Sequence, residues 1–331
     1  MVRCILSLVI ALLVPAVSAA QFDTKPAPGA AAAASDAAAP STATGTTLGK
    51  SETQQWEFGV IIKSVGGPSA GLSGTFPVPA DWPEQQVKVV NEEISPAVRR
   101  HTFRTIDGLK QLIFEIPQLP AGESATCLLT LEVTRSQQLA PHDPSGLVIA
   151  KPPPREISKY LGASPFVESR HAKIRALAKE LTEGKVTAWQ QVEALCDGVR
   201  TRIKYEIDTK DKFKGGVGAL RDGAADREDM TALFVALCRA HKVPARIVWP
   251  LDSCHAEFYL EDGAGKGAWY PCQVHNDKQF GSMNDPRPIL QKGDNFRVPE
   301  KKDPQRFVSE FLTGKGGGGR PEVEFRRRRA D

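Results

Sequence analysis

Thiol, imidazole and carboxylate groups lie close together in one short part of the sequence. Cys254, His255 and Glu257 are followed closely by Cys272 and His275. A thiol becomes a strong nucleophile when a neighbouring imidazole lowers its pKa and a third group orients that imidazole. The same residue types also bind zinc. Two kinds of chemistry are therefore open here, thiol-based catalysis and metal binding.

The spacing of these residues argues against both kinds of chemistry. The segment SCHAEFYLED predicts a strand, and alternate side chains of a strand point to opposite faces, so Cys254 points away from His255. Cys254 and Cys272 either form a disulfide or remain two free thiols, and the sequence does not favour one over the other. Cys272-x-x-His275 lacks a second close pair of ligands. We therefore expect no metal and no cofactor.

A helix and two further strands are predicted around these residues. In DREDMTALFVALCRA, Asp226 is a good N-cap, Asp229 approximates a capping box, and the apolar residues from Met230 to Cys238 follow a helical period. The segments ARIVWPL and GAWYPCQV predict strands, and a glycine-bearing loop at 263–267 predicts a hairpin.

These elements resemble those of the transglutaminase-like superfamily. The run EDMTALFVALCRAHKVPARIVW is similar to the central helix and following strand of that family, and HAEFYL and GAWYPCQ are similar to its other two catalytic strands. The resemblance extends from Tyr205 to Gln273. It implies an α+β, papain-like core in which a cysteine at a helix start, with a histidine and an aspartate on adjacent strands, attacks a glutamine-like amide and forms an acyl-enzyme.

The three positions that the resemblance assigns to catalysis hold other residue types. Arg227 stands where the family has its cysteine, and Ser253 and Gln273 stand where it has its histidine and aspartate, counting from Glu257 and Trp269. An arginine cannot serve as a nucleophile. The resemblance therefore predicts a degenerate triad, with Glu257 and Trp269 as candidate binding residues.

Two residues keep alternative interpretations. Arg227 either forms a surface ion pair with Asp226, Glu228 or Asp229, or makes the floor of the cleft cationic and suited to a carboxylate or another anion. His255 is the candidate for residual catalysis if the register is shifted.

The N-terminal residues predict export. Residues 1–20 contain Arg3, an apolar run of about ten residues and a small-residue cleavage site, which is typical of a signal peptide and too short to span a membrane. We expect a periplasmic, envelope-associated or extracellular protein. The net charge of +4 is too small to indicate nucleic acid as a partner.

Composition divides the remaining chain into four segments. Residues 21–50 predict a disordered Ala/Pro/Thr-rich linker, and 51–140 a β-sandwich-like domain. Residues 155–295 carry the transglutaminase-like resemblance, so the predicted fold class is α+β, a β-sandwich followed by a papain-like domain. Residues 296–331 predict a polar tail with a Gly-rich linker. Its basic cluster is either solvated or in weak contact with an anionic envelope surface, and it comprises Arg326, Arg327, Arg328 and Arg329.

Three functions are compatible with these observations. The first is a catalytically inactive module that binds a protein or peptide or acts as a scaffold. The second is an active cysteine-dependent amidase or protein-glutamine acyltransferase with a shifted site around His255. The third is an envelope structural protein whose function lies in the β-domain and the tails.

Overall fold

Long strands precede the helices in the parts of the chain that the computed structural model describes, residues 46–207, 213–316 and 321–330. The strands are β1 (Thr47–Lys63), β2 (Ser69–Val78), β3 (Gln85–Ile94), β4 (Arg100–Ile106), β5 (Leu109–Leu119), β6 (Ser124–Leu139), β7 (Lys204–Tyr205), β8 (Ala224–Ala225), β9 (Ala245–Pro250), β10 (His255–Glu261), β11 (Gly267–Gln273), β12 (Gln279–Phe280), β13 (Ile289–Lys292), β14 (Phe311–Gly316) and β15 (Glu322–Arg329). The helices are α1 (Arg155–Ser158), α2 (Ala172–Thr182), α3 (Ala188–Arg202), α4 (Gly215–Asp222) and α5 (Arg227–Ala240).

The strands of the N-terminal half form a β-sandwich together with the two C-terminal strands, β14 and β15. One sheet has the order β15-β1-β6-β3, and the facing layer contains β14, β2, β5 and β4. Alternate side chains of these strands point inward, as expected for packed sheets. The core between the layers contains Phe58, Val60, Ile62, Leu72, Phe76, Leu112, Phe114, Leu129, Leu131 and Val133.

The second sheet continues from the sandwich into the helical part of the molecule. Strand β13 pairs with β5 on one side and with β9 on the other, and β9 is followed in the sheet by β10, β11 and β12. The two predicted domains therefore share a sheet, and strands β14 and β15, which follow the second domain in sequence, belong to the sandwich. The predicted fold class, a β-sandwich followed by an α+β domain, is confirmed.

Helix α5 is buried on all sides because it lies between strands β9 and β10 and helices α2, α3 and α4. Its C-terminal end is fixed by Arg239, which forms a buried ion pair of 2.6 Å with Asp294. At its N-terminal half, Gly216 of α4 allows close packing, since a Cβ there would lie 3.0 Å from the Cα of Leu233. The N-terminus of α5 is thus held in one place.

The segment predicted as a polar tail, residues 296–331, contains two strands, because residues 311–316 and 322–329 pair with strands of the sandwich. Strand β15 pairs with β1 from Trp56–Arg329 to Lys63–Glu322. The alternating residues Val323 and Phe325 favour a strand, and Phe325 packs against the sandwich core.

The basic cluster is partly neutralised by carboxylates outside β15. Arg326 and Arg328 pair with Glu57, and Arg327 pairs with Glu310 at 3.0 Å.

The predicted signal peptide and residues 21–45 of the predicted linker lie outside the described residues. The last residues of that linker, Thr47–Lys50, are the start of β1. No helix in the described ranges is both long enough and apolar enough to cross a membrane.

Candidate functional site

The N-terminus of α5 opens into a cleft. Asp226 caps the helix, as predicted, by accepting hydrogen bonds from the N–H groups of Glu228 (2.9 Å) and Asp229 (2.8 Å). Asp229 does not complete a capping box. Its carboxylate accepts instead from the N–H groups of Lys214 and Gly215, which fixes the start of α4 against the start of α5.

Arg227, Ser253 and Gln273 line the same cavity, which has a volume of about 540 Å³ and is called the central cavity below. They come from the first turn of α5, the turn before β10, and the end of β11. Residues separated by almost 50 positions in the sequence are thus brought together at one point. The other residues lining this cavity are His275, Asn276, Asp277, Gln279, Asn284, Asp285, Pro286 and Arg287.

A second cavity of about 560 Å³ adjoins the first and shares Arg227 and Ser253 with it. It is called the aromatic cavity here, because its wall includes Phe166, Phe213, Trp249 and Phe307. Two of these rings are exposed, Phe166 at 41% and Phe213 at 45%. The cleft therefore has a polar part and an aromatic part, with Arg227 at the junction.

The guanidinium of Arg227 has no ion pair and no hydrogen bond within the described ranges. Each acidic neighbour is engaged elsewhere: Asp226 accepts from the helix N–H groups, Asp229 from α4, and Glu228 pairs with Arg306. The surface ion pair considered for Arg227 is therefore not formed. The alternative, a cationic cleft floor, matches its position.

His255 lines neither cavity. Strand β10 begins at this residue, so Ser253 belongs to the preceding turn and the strand alternation that linked the two residues does not apply. The His255 side chain is buried and its Nε2 has no hydrogen-bond partner among the described residues. Burial lowers its pKa to about 3, and the nearby carboxylates of Glu257 and Asp285 offset only part of this effect. The structure thus does not bring His255 to the cleft.

The neutral His255 makes stability depend on pH. The unfolded chain takes up this proton near pH 6.5, while the folded chain does so only near pH 3, so the free energy of unfolding falls as the pH is lowered from about 6.5 towards 3. We expect a His255→Phe variant to show a shallower decline in urea melts across this range. The same change at His142, which is exposed, serves as the matched control. If the free energy of unfolding depends on pH equally in the wild type and in His255→Phe, the lowered pKa of His255 is wrong.

Neither predicted binding residue reaches the cleft. Glu257 is completely buried and forms ion pairs of 2.6 Å with Arg246 and with Lys292. Burial raises its pKa, but these two cations outweigh burial and hold the pKa well below its usual range. Trp269 lies four residues, or about 13 Å, along β11 from Gln273 and stacks under the guanidinium of Arg246 at 4.1 Å.

All five cysteines in the described part of the chain are free and buried. The disulfide between Cys254 and Cys272 is not formed, which leaves the two free thiols. Burial raises the pKa of Cys127 and Cys254 to about 12 and raises that of Cys238 and Cys272 as well. A protonated, inaccessible thiol is a poor nucleophile.

His275 lines the central cavity, a position that the Cys272-x-x-His275 spacing does not predict. Its Nε2 donates to the carbonyl of Cys254 (3.0 Å), while its Nδ1 has no partner in the described ranges. No group of three or more His, Cys, Asp or Glu side chains within those ranges is arranged to hold a metal ion.

Arg306 is the cleft residue that the sequence signals least. Its guanidinium lies 3.6 Å from the ring centre of Phe213 and 5.5 Å from that of Trp249, and it pairs with Glu228. It occurs in the segment predicted as a tail, 78 residues from Glu228, and no local pattern distinguishes it from the surrounding charged residues.

Part of the chain is similar to a known protein family, and its fold is similar to that of a solved structure. Residues 175–274 match the family model of the transglutaminase-like superfamily. A solved structure of a proposed cysteine protease from Cytophaga hutchinsonii has a similar fold, with a TM-score of 0.55 and 15% identity over 86% of this chain and 93% of that one. The periplasmic domain of TgpA from Pseudomonas aeruginosa is a more distant match, with a TM-score of 0.32 and 12% identity over 66% of this chain and 87% of that one. No curated protein sequence matches the chain.

The matched range contains α3, α4, α5, β9, β10 and β11, whereas the lining residues of the central cavity from His275 to Arg287 lie just beyond it. The same range holds Arg227, Ser253 and Gln273. The chain therefore carries a transglutaminase-like domain at residues 175–274.

Proposed function

We propose that this protein is an exported, catalytically inactive transglutaminase-like module that binds a peptide or protein segment in the cleft at the N-terminus of α5. The single observation that carries the proposal is the content of the central cavity, where Arg227, Ser253 and Gln273 meet and no cysteine is among the lining residues. A guanidinium has no lone pair with which to attack an amide carbonyl, and it stays protonated at every physiological pH.

The shape of the cleft supports an extended ligand. The central cavity shares residues 284–286 with a third cavity of about 370 Å³, and it shares Arg227 and Ser253 with the aromatic cavity. The three cavities therefore follow one another along the surface. A chain that is bound by backbone and side-chain contacts fits such a succession better than a compact ligand does.

The alternative of an active amidase around His255 has less support. The imidazole lies outside the cleft, and Cys254 packs instead towards α5, with its Sγ 3.6 Å from the Oγ1 of Thr231.

The alternative of an envelope structural protein depends on the β-sandwich and the basic cluster. Because three of those four arginines are paired, we propose at most a weak, salt-sensitive contact with an anionic surface.

Export is part of the proposal and is supported by residues 1–20 alone. Their basic start, apolar run and small-residue end are the pattern of a cleaved signal peptide.

The state of the thiols tests the inactivity of the wild-type protein. We expect no iodoacetamide labelling of the five described cysteines in the native protein during a period in which the same five are labelled in the urea-unfolded protein, since these thiols are buried in the native state; they are Cys127, Cys196, Cys238, Cys254 and Cys272. We also expect no incorporation of a fluorescent amine into a glutamine-containing peptide. A native thiol that reacts rapidly near pH 7, together with amine incorporation, would show that the protein is an active enzyme.

A further inference from the structure

We propose that the cleft recognises a carboxylate, carried by an acidic residue within a peptide whose neighbouring residue is apolar or aromatic. The inference rests on the proposed function and names the ligand class of the same site. Arg227 and Arg306 would contact the carboxylate, and the exposed rings of Phe166 and Phe213 would contact the neighbouring side chain.

The first observation is the unsatisfied charge of Arg227. This half-buried side chain lines both the central and the aromatic cavity and has no partner in the described part of the chain. The helix end itself offers little to an anion, because Asp226 already accepts from the N–H groups of Glu228 and Asp229. The attraction therefore comes from the guanidinium, which binds carboxylates through parallel hydrogen bonds.

The second observation is independent and concerns Arg306. This residue is 5% exposed, and it lines the aromatic cavity together with Arg227. One of its terminal nitrogens, Nη2, donates to Glu228, while the other, Nη1, has no partner in the ranges described. A buried donor without an acceptor is costly, and a ligand oxygen would satisfy it. Nη1 is shielded from solvent, so the contact requires a shift of Phe213, whose ring is itself partly exposed.

The charge count favours a singly charged group over a phosphate. Around the aromatic cavity, Arg306 is balanced by Glu228, and Arg327 is balanced by Glu310. Asp252 is an exposed carboxylate at the rim. Arg227 is thus the lining cation without an ion pair, and because Asp252 adds a negative charge at the same cavity, a singly charged carboxylate fits better than a dianion.

The aromatic wall defines the neighbouring position of the ligand. Phe166 and Phe213 contact each other edge to face, with ring centres 5.8 Å apart, and both are exposed at the cavity. Exposed aromatic rings next to a cation bind a side chain that is apolar or aromatic. The cleft continues past Arg227 into the central cavity, so the peptide chain can pass through, which favours an internal acidic residue over a C-terminal carboxylate.

Fluorescence polarisation with matched peptide libraries tests this inference on the full chain. The libraries have random flanks, an N-acetyl and a C-amide group, and a central pair Phe-Glu or Phe-Gln. A third library carries its carboxylate only at a free C-terminus after Phe. We expect the wild type to bind the Phe-Glu library about tenfold more tightly than the Phe-Gln library, because charge-assisted hydrogen bonds are about twice as strong as neutral ones.

Variants of the chain assign the preference to Arg227. In Arg227→Ala the ratio between the Glu and Gln libraries should fall to about one, while Arg227→Lys should keep part of it. The matched control is Arg221→Ala, a surface arginine that pairs with Asp222, and it should keep the full ratio. The melting temperature of Arg227→Ala should be unchanged or higher, since a partnerless cation at a helix N-terminus is lost.

The possible outcomes separate the two proposals. If the wild type binds the Glu and Gln libraries equally, the carboxylate inference is wrong while peptide binding stands. If the library with the free C-terminus binds more strongly than the Phe-Glu library, the cleft recognises a carboxylate, but the inference that this carboxylate belongs to an internal residue is wrong. If no library binds at all, the inference and the proposed function both fall.

Discussion

Replacing Arg227 by Cys, Ser253 by His and Gln273 by Asp in the same molecule should create one reactive thiol in the cleft. The three positions already line one cavity, and a cysteine in the first turn of α5 would gain thiolate character from the helix dipole and from the new imidazole. We expect iodoacetamide to label residue 227 at pH 7 at least about tenfold faster than in the single variant Arg227→Cys, which lacks the imidazole.

The single variant is the matched control, because it has the same thiol at the same depth. A variant with Arg227→Ser in the triple background controls for structural effects and should not be labelled in the native state. Labelling of the triple variant at the rate of Arg227→Cys would show that the new imidazole does not reach the thiol. The alignment of these positions with a catalytic triad would then be wrong. Slow hydrolysis of a glutamine-peptide amide by the triple variant would show that the frame still supports the chemistry.

Replacing Lys292 by Met should lower the free energy of unfolding by about 3–5 kcal/mol, because it removes one partner from a buried cluster of charges. The Lys292 side chain is 2% exposed, and its Nζ lies 2.6 Å from carboxylate oxygens of both Glu257 and Glu84. Without it, two carboxylates that are almost inaccessible to water lose a shared cation. Arg246 and Arg135 remain as partners and would offset part of the cost.

The matched control is Lys278→Met, since Lys278 also bridges two carboxylates, Glu193 and Asp197, but its side chain is 30% exposed. We expect this change to cost less than about 1 kcal/mol. Urea unfolding monitored by tryptophan fluorescence measures both. Similar losses for the two variants would contradict a structural role for the buried cluster.

The cluster around Lys292 also explains why predictions for β10 were only partly successful. Its strand pattern predicts a buried strand, and β10 is buried. The pattern cannot show what covers the face of His255 and Glu257. That face is occupied by charged residues from the sandwich and from β13, and Glu84 is 173 residues from Glu257 in the sequence. Local spacing made His255 and Glu257 reasonable candidates for chemistry or binding. In the structure, both side chains face the buried cluster of charges and do not line the cleft.

Helix α4 was not predicted, for a similar reason. Its sequence GGVGALRD begins with glycines, which have low helix propensity. The helix forms because Asp229 accepts hydrogen bonds from Lys214 and Gly215 at its start, and because glycine allows it to approach α5 closely. Tertiary contacts outweigh local propensity here.

The sequence by itself determined the elements with strong local periodicity and the residue types at the critical positions. Helix α5, its Asp226 cap, the strands β9 to β11 and the placement of Arg227 at the helix start all follow from patterns within a few residues. The tertiary structure alone decided which side chains share a cavity, which charges remain unpaired, and that residues 322–329 form a strand on β1. The reason is physical: capping and periodicity act between near neighbours, whereas burial and ion pairing depend on contacts between residues that lie from 35 to 271 positions apart in this chain.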